Sequence, residues 1–190
     1  MTPTIRILNA SSLRQDRLLG VAKKVGDQFR TEPTVSKGSL NLARAFDASR
    51  GQYNSTLLLA ELLYLYPFPE QKTIAIVDVD LFIPVLTFVF GEAQLRGQAA
   101  VVSTSRLGNR FYGLPEDDDL LLLRLEKEIV HELGHTFGLF HCHQFECVMR
   151  SSTYVEEIDL KRGELCRGCQ ETTRQMRDVG SIAPLKISSL

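Results

Sequence analysis

The pattern of apolar residues in the first part of the chain predicts strands that alternate with helices. Residues 4–8 are β-branched and apolar, as in a strand, and apolar residues at positions 18–29 recur every three or four places, as on one helix face. We expect Ser11 or Ser12 to cap this helix. Residues 34–42 could hold a further short strand.

A second helix is predicted between Asn54 or Ser55, either of which can cap it, and Pro67, which closes it. Three strand candidates follow in close order, at residues 73–79, 87–93 and 98–104. Because only a short turn separates the last two, they can form an antiparallel pair. This order of strands and helices predicts an α/β or α+β fold.

A long helix is predicted next, ending at Gly138. Pro115 suits its first turn, and the four acidic residues that follow place negative charge at the positive end of the helix dipole. Its buried stripe repeats every four residues: Leu121, Leu125, Ile129, Leu133 and Phe137. Glycine suits the helix end because it adopts a left-handed conformation without strain.

The composition changes after Gly138, where strand signals become rare and all four cysteines occur. Thr153 and Glu156 form a candidate capping box, and residues 169–177 a candidate last helix. Residues 181–190 are predicted to be a tail that is ordered only if it docks. We expect residues 1–190 to form one domain, with an upper lobe of about 1–138 and a lower lobe of about 139–190.

Composition and charge narrow the function. Hydrophobic residues make up 44% and charged residues 24%, and the formal net charge is -1, so no basic excess favours a nucleic acid or an anionic membrane as partner. The N-terminus lacks the pattern of a signal peptide, and no apolar run approaches the ~18 residues of a membrane span. We therefore expect a cytosolic protein with reduced thiols.

All four histidines lie within the stretch HELGHTFGLFHCH, which begins at His131. On a helix, His131 and His135 project from the same face, one turn apart, so both can reach one zinc ion. Glu132 can take a proton from the zinc-bound water without being a ligand, as in the HExxH arrangement. Gly138 then lets the chain double back so that His141 supplies a third nitrogen. Ordinary polar histidines on a helix would not cluster in this way.

Met149 extends this pattern. The order HExxHxxGxxH followed by a methionine resembles that of the metzincin metallopeptidases. The resemblance implies that Met149 underlies the metal as a hydrophobic base and is not a ligand. The alternative is that Met149 merely fills the core.

The cysteines have the spacing expected of a second zinc site: Cys142, Cys147, Cys166 and Cys169. Four thiolates leave no open position, so this zinc would be structural and would help to fold a lobe with little core. Three alternatives stay open. They are two disulfides, a redox pair at Cys166 and Cys169, and a site in which His143 replaces one cysteine.

The cysteines begin directly after the third histidine and close with CxxC, and this pattern resembles that of the archaemetzincins. The upstream segments FVFGEA, GQAAVVS and RGQYN are also similar to segments of that family. The resemblance implies a metzincin fold, in which a twisted mixed sheet with an antiparallel edge strand and the active-site helix lie above a small zinc-stapled lobe. Residues 87–93 (TFVFGEA) are the candidate edge strand, which would pair with an extended peptide. The alternative is an interior strand.

The expected function is therefore zinc-dependent hydrolysis of peptides, by an aminopeptidase or small-peptide peptidase with two zinc ions per monomer and Glu132 as the general base. Tyr154 and Tyr112 are candidates for stabilising the oxyanion, although both could be purely structural. Two other classes stay open: a zinc-binding protein of this fold with little activity, and an interaction module built around the cysteine site.

Overall fold

The computed structural model of the chain describes residues 3–179, so the predicted tail at 181–190 lies outside the described residues. In chain order the elements are β1 (Thr4–Asn9), α1 (Gln15–Phe29), β2 (Thr34–Lys37), α2 (Leu42–Ala45), β3 (Phe46–Asp47), β4 (Gln52–Asn54), α3 (Ser55–Leu65), β5 (Gln71–Val77), β6 (Leu81–Phe82), β7 (Gly91–Ala93), β8 (Ala99–Ser103), α4 (Asp118–Thr136), α5 (Val155–Asp159) and α6 (Arg167–Val179). The predicted last helix is thus confirmed as α6.

A five-stranded mixed sheet organises the upper part of the molecule, in the order β2-β1-β5-β8-β7. Its first four strands are parallel, and β7 runs antiparallel to β8 at the edge. Side chains alternate between the faces, so Ile74 and Ile76 pack with α1 and α4, whereas Ala75 and Val77 pack with α3. The predicted fold class is confirmed, including its antiparallel edge strand.

The edge strand is shorter than the predicted seven residues. Only Gly91–Ala93 pair with β8. The Val89 amide donates to the Leu81 carbonyl at 2.9 Å, which draws the preceding residues towards β6. This bridge joins a small second sheet, β3-β4-β6, that the apolar pattern did not predict.

Two helix starts were predicted wrongly. The helix α1 begins at Gln15, because the Ser11 hydroxyl donates to Asn9 Oδ1 at 2.6 Å and no serine caps the helix. The helix α4 begins at Asp118, after Pro115, and its cap is Asp117, whose Oδ1 accepts from the Leu120 amide at 2.9 Å.

Two other helix ends behave as the sequence predicts. Asn54 caps α3, since its side chain accepts from the Thr56 and Leu57 amides. Gly138, at a φ of 92°, follows the end of α4. The capping box of α5 is shifted by one residue, because the carboxylate that accepts from the Thr153 amide belongs to Glu157 and not to Glu156.

The apolar stripe on α4 packs into a core that includes residues from both sides of Gly138. Leu125, Ile129 and Leu133 are fully buried in one apolar cluster that also contains Val148 and Ile158 from beyond Gly138. Residues on both sides of the glycine turn therefore share a core. Within residues 3–179, no helix combines the length and the apolar content needed to cross a bilayer.

Candidate metal centres

The helix α4 presents two imidazoles whose ring nitrogens have distinct roles. His131 Nδ1 lies 2.9 Å from the Val148 carbonyl oxygen, and His135 Nδ1 lies 2.8 Å from that of Leu139. A carbonyl can only accept, so each Nδ1 carries the proton and each Nε2 has a free lone pair. The two Nε2 atoms are 3.2 Å apart.

The turn after α4 brings in the third histidine. The Gly138 amide donates to the His135 carbonyl and the Leu139 amide donates to the Gly134 carbonyl, both at 2.9 Å, which reverses the chain. The ring of His141 then lies 5.3 Å from that of His131 and 5.0 Å from that of His135, between centroids. One nitrogen of each histidine lies within 4.8 Å of the others.

This donor set fits zinc. Two nitrogens at a tetrahedral zinc, with bonds of about 2.0–2.1 Å, are separated by about 3.3 Å, close to the observed 3.2 Å. Burial lowers the pKa of His131 well below its usual value, and burial also lowers the pKa of His135 and His141. All three are therefore neutral near pH 7, which is the form that binds a metal.

Glu132 lies buried between α4 and the edge strand. A Cβ atom on Gly91 would come within 2.7 Å of Glu132 Cγ and 2.8 Å of its Oε1, so only glycine admits the carboxylate here. Burial raises the pKa of Glu132 well above its usual value, Glu128 and Glu92 raise it further, and Lys161 opposes them. Sequence reasoning missed Gly91, although a glycine within a strand pattern signals close approach.

Met149 is fully buried in the core beneath the last turns of α4. Gly134 makes room for it, since a Cβ atom there would collide with Met149 Sδ. The Met149 carbonyl accepts from the Cys142 amide at 2.9 Å. Met149 therefore lies under the histidine-bearing turns and also contacts the start of the cysteine cluster.

The four cysteines form the second cluster, and all are free thiols. The Sγ atoms of Cys142 and Cys166 are 3.8 Å apart, as are those of Cys147 and Cys169, and all four lie within 4.8 Å of one another. Tetrahedral zinc with Zn–S bonds of about 2.3 Å separates its sulfurs by about 3.8 Å. The set thus fits zinc, whereas a disulfide needs sulfurs about 2.05 Å apart.

Burial raises the pKa of the Cys147 and Cys169 thiols, so a bound metal must displace their protons. His143 is exposed and stands outside both donor clusters. Tyr154 is 64% exposed, and the Tyr112 hydroxyl donates to the Arg106 carbonyl at 3.0 Å. Neither the exposure of Tyr154 nor the hydrogen bond of Tyr112 favours a role in stabilising the oxyanion.

Comparison with known proteins agrees with this geometry. The family model described as Peptidase family M54 matches residues 64–175. The archaemetzincin of Methanocaldococcus jannaschii is 38% identical over 169 residues, which cover 89% of this chain and 92% of the relative.

Solved structures extend the likeness. The crystal structure of the archaemetzincin from Methanopyrus kandleri has a TM-score of 0.80 and 32% identity, and the match covers 93% of this chain and 96% of that one. A zinc-dependent peptidase from Methanocorpusculum labreanum has a TM-score of 0.82 and 27% identity, covering 89% and 99%.

A mixed sheet whose antiparallel edge borders a histidine cluster, together with these matches, defines a zinc metallopeptidase, with peptides as its substrates. Within that class, the chain belongs to peptidase family M54, the archaemetzincins.

Proposed function

We propose that His131, His135 and His141 hold the catalytic zinc and that Glu132 is the general base. The observation that carries this proposal is the convergence of three neutral imidazoles beside a buried carboxylate at the edge of the sheet. Three protein ligands leave a position for water and substrate. Gly138 and Met149 support the arrangement, by turning the chain and by underlying the last turns of α4.

When bound, zinc supplies a Lewis acid for the substrate carbonyl and activates a water molecule. The Glu132 carboxylate would accept a proton from that water and pass it to the nitrogen of the leaving amine. His131 and His135 keep their orientation because their Nδ1 protons remain bonded to backbone carbonyls. The protein thus contributes a positioned base and a preorganised donor set.

The edge strand β7 is the proposed docking surface for substrate. In the described part of the chain β7 pairs only with β8, so its other edge can accept an extended peptide. Since β7 has only three residues, it offers few backbone hydrogen bonds, which favours short peptides. We therefore propose an aminopeptidase or small-peptide peptidase.

A second zinc ion, at Cys142, Cys147, Cys166 and Cys169, would be structural. Their sulfur separations support a closed tetrahedral site. Each donor set is complete within one chain, so neither site requires a second copy. We propose a monomer of one domain divided near Gly138 into residues 1–138 and 139–190. The sulfur separations of 3.8 Å, which are too long for disulfides, are what supports our proposal of a reducing, cytosolic location.

The test compares the zinc-loaded protein with Glu132→Ala on a panel of short peptides, each with a free and a blocked N-terminus. We expect cleavage by the wild type alone, with unblocked peptides preferred and with the zinc content of the two proteins equal. Equal cleavage by both proteins across the panel would refute the role of Glu132. Indifference to the blocking group would refute the aminopeptidase assignment.

A further inference from the structure

Lys161 is a buried lysine that follows α5. Its side chain is 1% exposed, although an ammonium group removed from water is costly unless it is paired. Its Nζ lies 3.4 Å from the Val148 carbonyl oxygen and 3.8 Å from Glu128 Oε1. Lys161 therefore contacts both the active-site helix and the strip of chain that crosses beneath it.

Glu128 precedes His131 by three residues on α4, and its side chain is 5% exposed. Its Oε1 is buried and has no hydrogen-bond partner among the described residues. Lys127 adds a smaller attraction, and the ammonium of Lys161 is thus the main charge that compensates this carboxylate. Without it, a charge would stay buried and unpaired.

The Val148 carbonyl oxygen accepts hydrogen bonds from both His131 and Lys161. It accepts from His131 Nδ1 at 2.9 Å, and Lys161 Nζ approaches it at 3.4 Å. The Val148 amide is itself bonded to the Glu164 carbonyl at 3.1 Å. A closed ring of contacts therefore runs from Glu128 through Lys161 and Val148 to His131 and back along α4.

We propose that Lys161 is a positioning residue for the histidine centre, because it fixes the Val148 carbonyl that orients His131. The inference rests on the proposed function, since it requires His131 to bind a metal. Lys161 Nζ lies closer to the carbonyl than to the carboxylate, which favours positioning over charge compensation alone. Mutation of the groups that orient a ligating histidine typically lowers metal affinity by about 10- to 100-fold.

The experiment separates positioning of the Val148 carbonyl from charge compensation of Glu128. It uses the variants Glu128→Gln and Lys161→Met, singly and combined. The double variant leaves neither member of the Glu128–Lys161 pair charged, so no unpaired partner of that pair is created and the protein is expected to fold. Affinity at the histidine centre is measured with Co²⁺, whose weak visible bands at nitrogen ligands differ from the thiolate charge-transfer absorption of the cysteine centre. We expect the double variant to bind Co²⁺ at the histidines about 10- to 100-fold more weakly than wild type.

Lys127→Met is the matched control. Lys127 is also buried on this interface, but its Nζ donates to the Ile158 carbonyl at 2.9 Å and to that of Asp159 at 3.2 Å. This variant should lose thermal stability and keep its Co²⁺ affinity. Lys161→Arg, which retains a donor, should also keep most of that affinity.

Wild-type affinity in the double variant would overturn the positioning role and leave Lys161 as a counter-charge only. An equal loss of affinity in Lys127→Met would likewise overturn it, because any break in the interface would then suffice. A wild-type protein whose histidines bind no Co²⁺ would instead refute the proposed function.

Discussion

The two candidate metal centres share one strip of chain but are built differently. Two of the three histidine donors stand on the regular helix α4, and backbone carbonyls hold their rings. In the cysteine centre, Cys142 and Cys147 come from a loop, whereas Cys166 and Cys169 flank the start of α6. We therefore expect the fold to prepare the histidine centre before a metal binds, and the cysteine centre to depend more strongly on its metal for order.

The largest effect should come from removing a donor at each centre. Cys169→Ser is expected to lose the structural zinc and to unfold the segment between Cys142 and Cys169, because structural zinc contributes about 10–16 kcal/mol in small zinc peptides. His135→Ala should abolish peptidase activity and leave that segment protected. Hydrogen exchange of the two variants, read over residues 142–169, checks this difference.

If His135→Ala deprotected that segment as fully as Cys169→Ser does, both centres would be structural and the contrast would fail. The His135→Ala variant is the stricter test of this contrast, since it must lose peptidase activity while residues 142–169 stay protected from exchange.

Gly91→Ala should reduce kcat by about 100-fold, because the added Cβ would come within 2.7 Å of both Glu132 Cγ and the Val101 carbonyl oxygen. Relieving these contacts moves Glu132 relative to the edge strand by up to about an ångström. Metal content should not change, as Glu132 is not a ligand. Gly108→Ala is the control, since its Cβ would meet only the Thr104 carbonyl oxygen, at 3.7 Å. Steady-state kinetics with zinc analysis provide the measurement, and a kcat equal to that of the control would contradict it.

Cys142→Ser should weaken zinc binding at the histidine centre by about tenfold, although it removes none of that centre's ligands. The physical reason is adjacency, because Cys142 follows His141 and loss of its thiolate would release the segment that carries this histidine. Cys166→Ser removes the partner thiol 3.8 Å away but does not border a histidine. Competition with a chromophoric chelator should therefore show the larger shift for Cys142→Ser, and unchanged affinity at the histidine centre in Cys142→Ser would show that the two centres are merely neighbours.

Met149→Leu is the mildest change, because it nearly conserves volume at a fully buried position. We expect a loss of less than about 1.5 kcal/mol in the free energy of unfolding, with zinc retained at the histidines. Chemical denaturation measures the first quantity and elemental analysis the second. Loss of the histidine zinc would mean that Met149 does more than support the turn.

Periodicity and motif spacing predicted much of this molecule. The stripe on α4, the turn at Gly138 and the antiparallel pairing of the last two strands follow from local preferences, and every candidate donor came from its spacing. The position of the antiparallel strand at the edge of the sheet came from the family resemblance. The start of α1 was missed because the Ser11 hydroxyl bonds Asn9, two residues earlier, and does not cap the helix. The start of α4 was missed because Asp117, two residues after Pro115, is the residue that caps it.

The features that could not be predicted depend on contacts distant in sequence. Gly91 makes room for Glu132, and Lys161 reaches Glu128 across the interface between the two parts of the chain. Neither pair has a fixed spacing, so a single sequence carries no signal that joins them. The small sheet β3-β4-β6 was missed because its strands have only two or three residues, which is too short for an alternating apolar pattern.

The most direct test of the account is the metal stoichiometry of the protein, with thiols counted under denaturing conditions in the presence of chelator. Two zinc ions and four reduced thiols per chain are predicted, falling to one zinc in His135→Ala. One zinc ion in the wild type with no free thiols would contradict the account, because the cysteines would then form disulfides and the second centre would not exist.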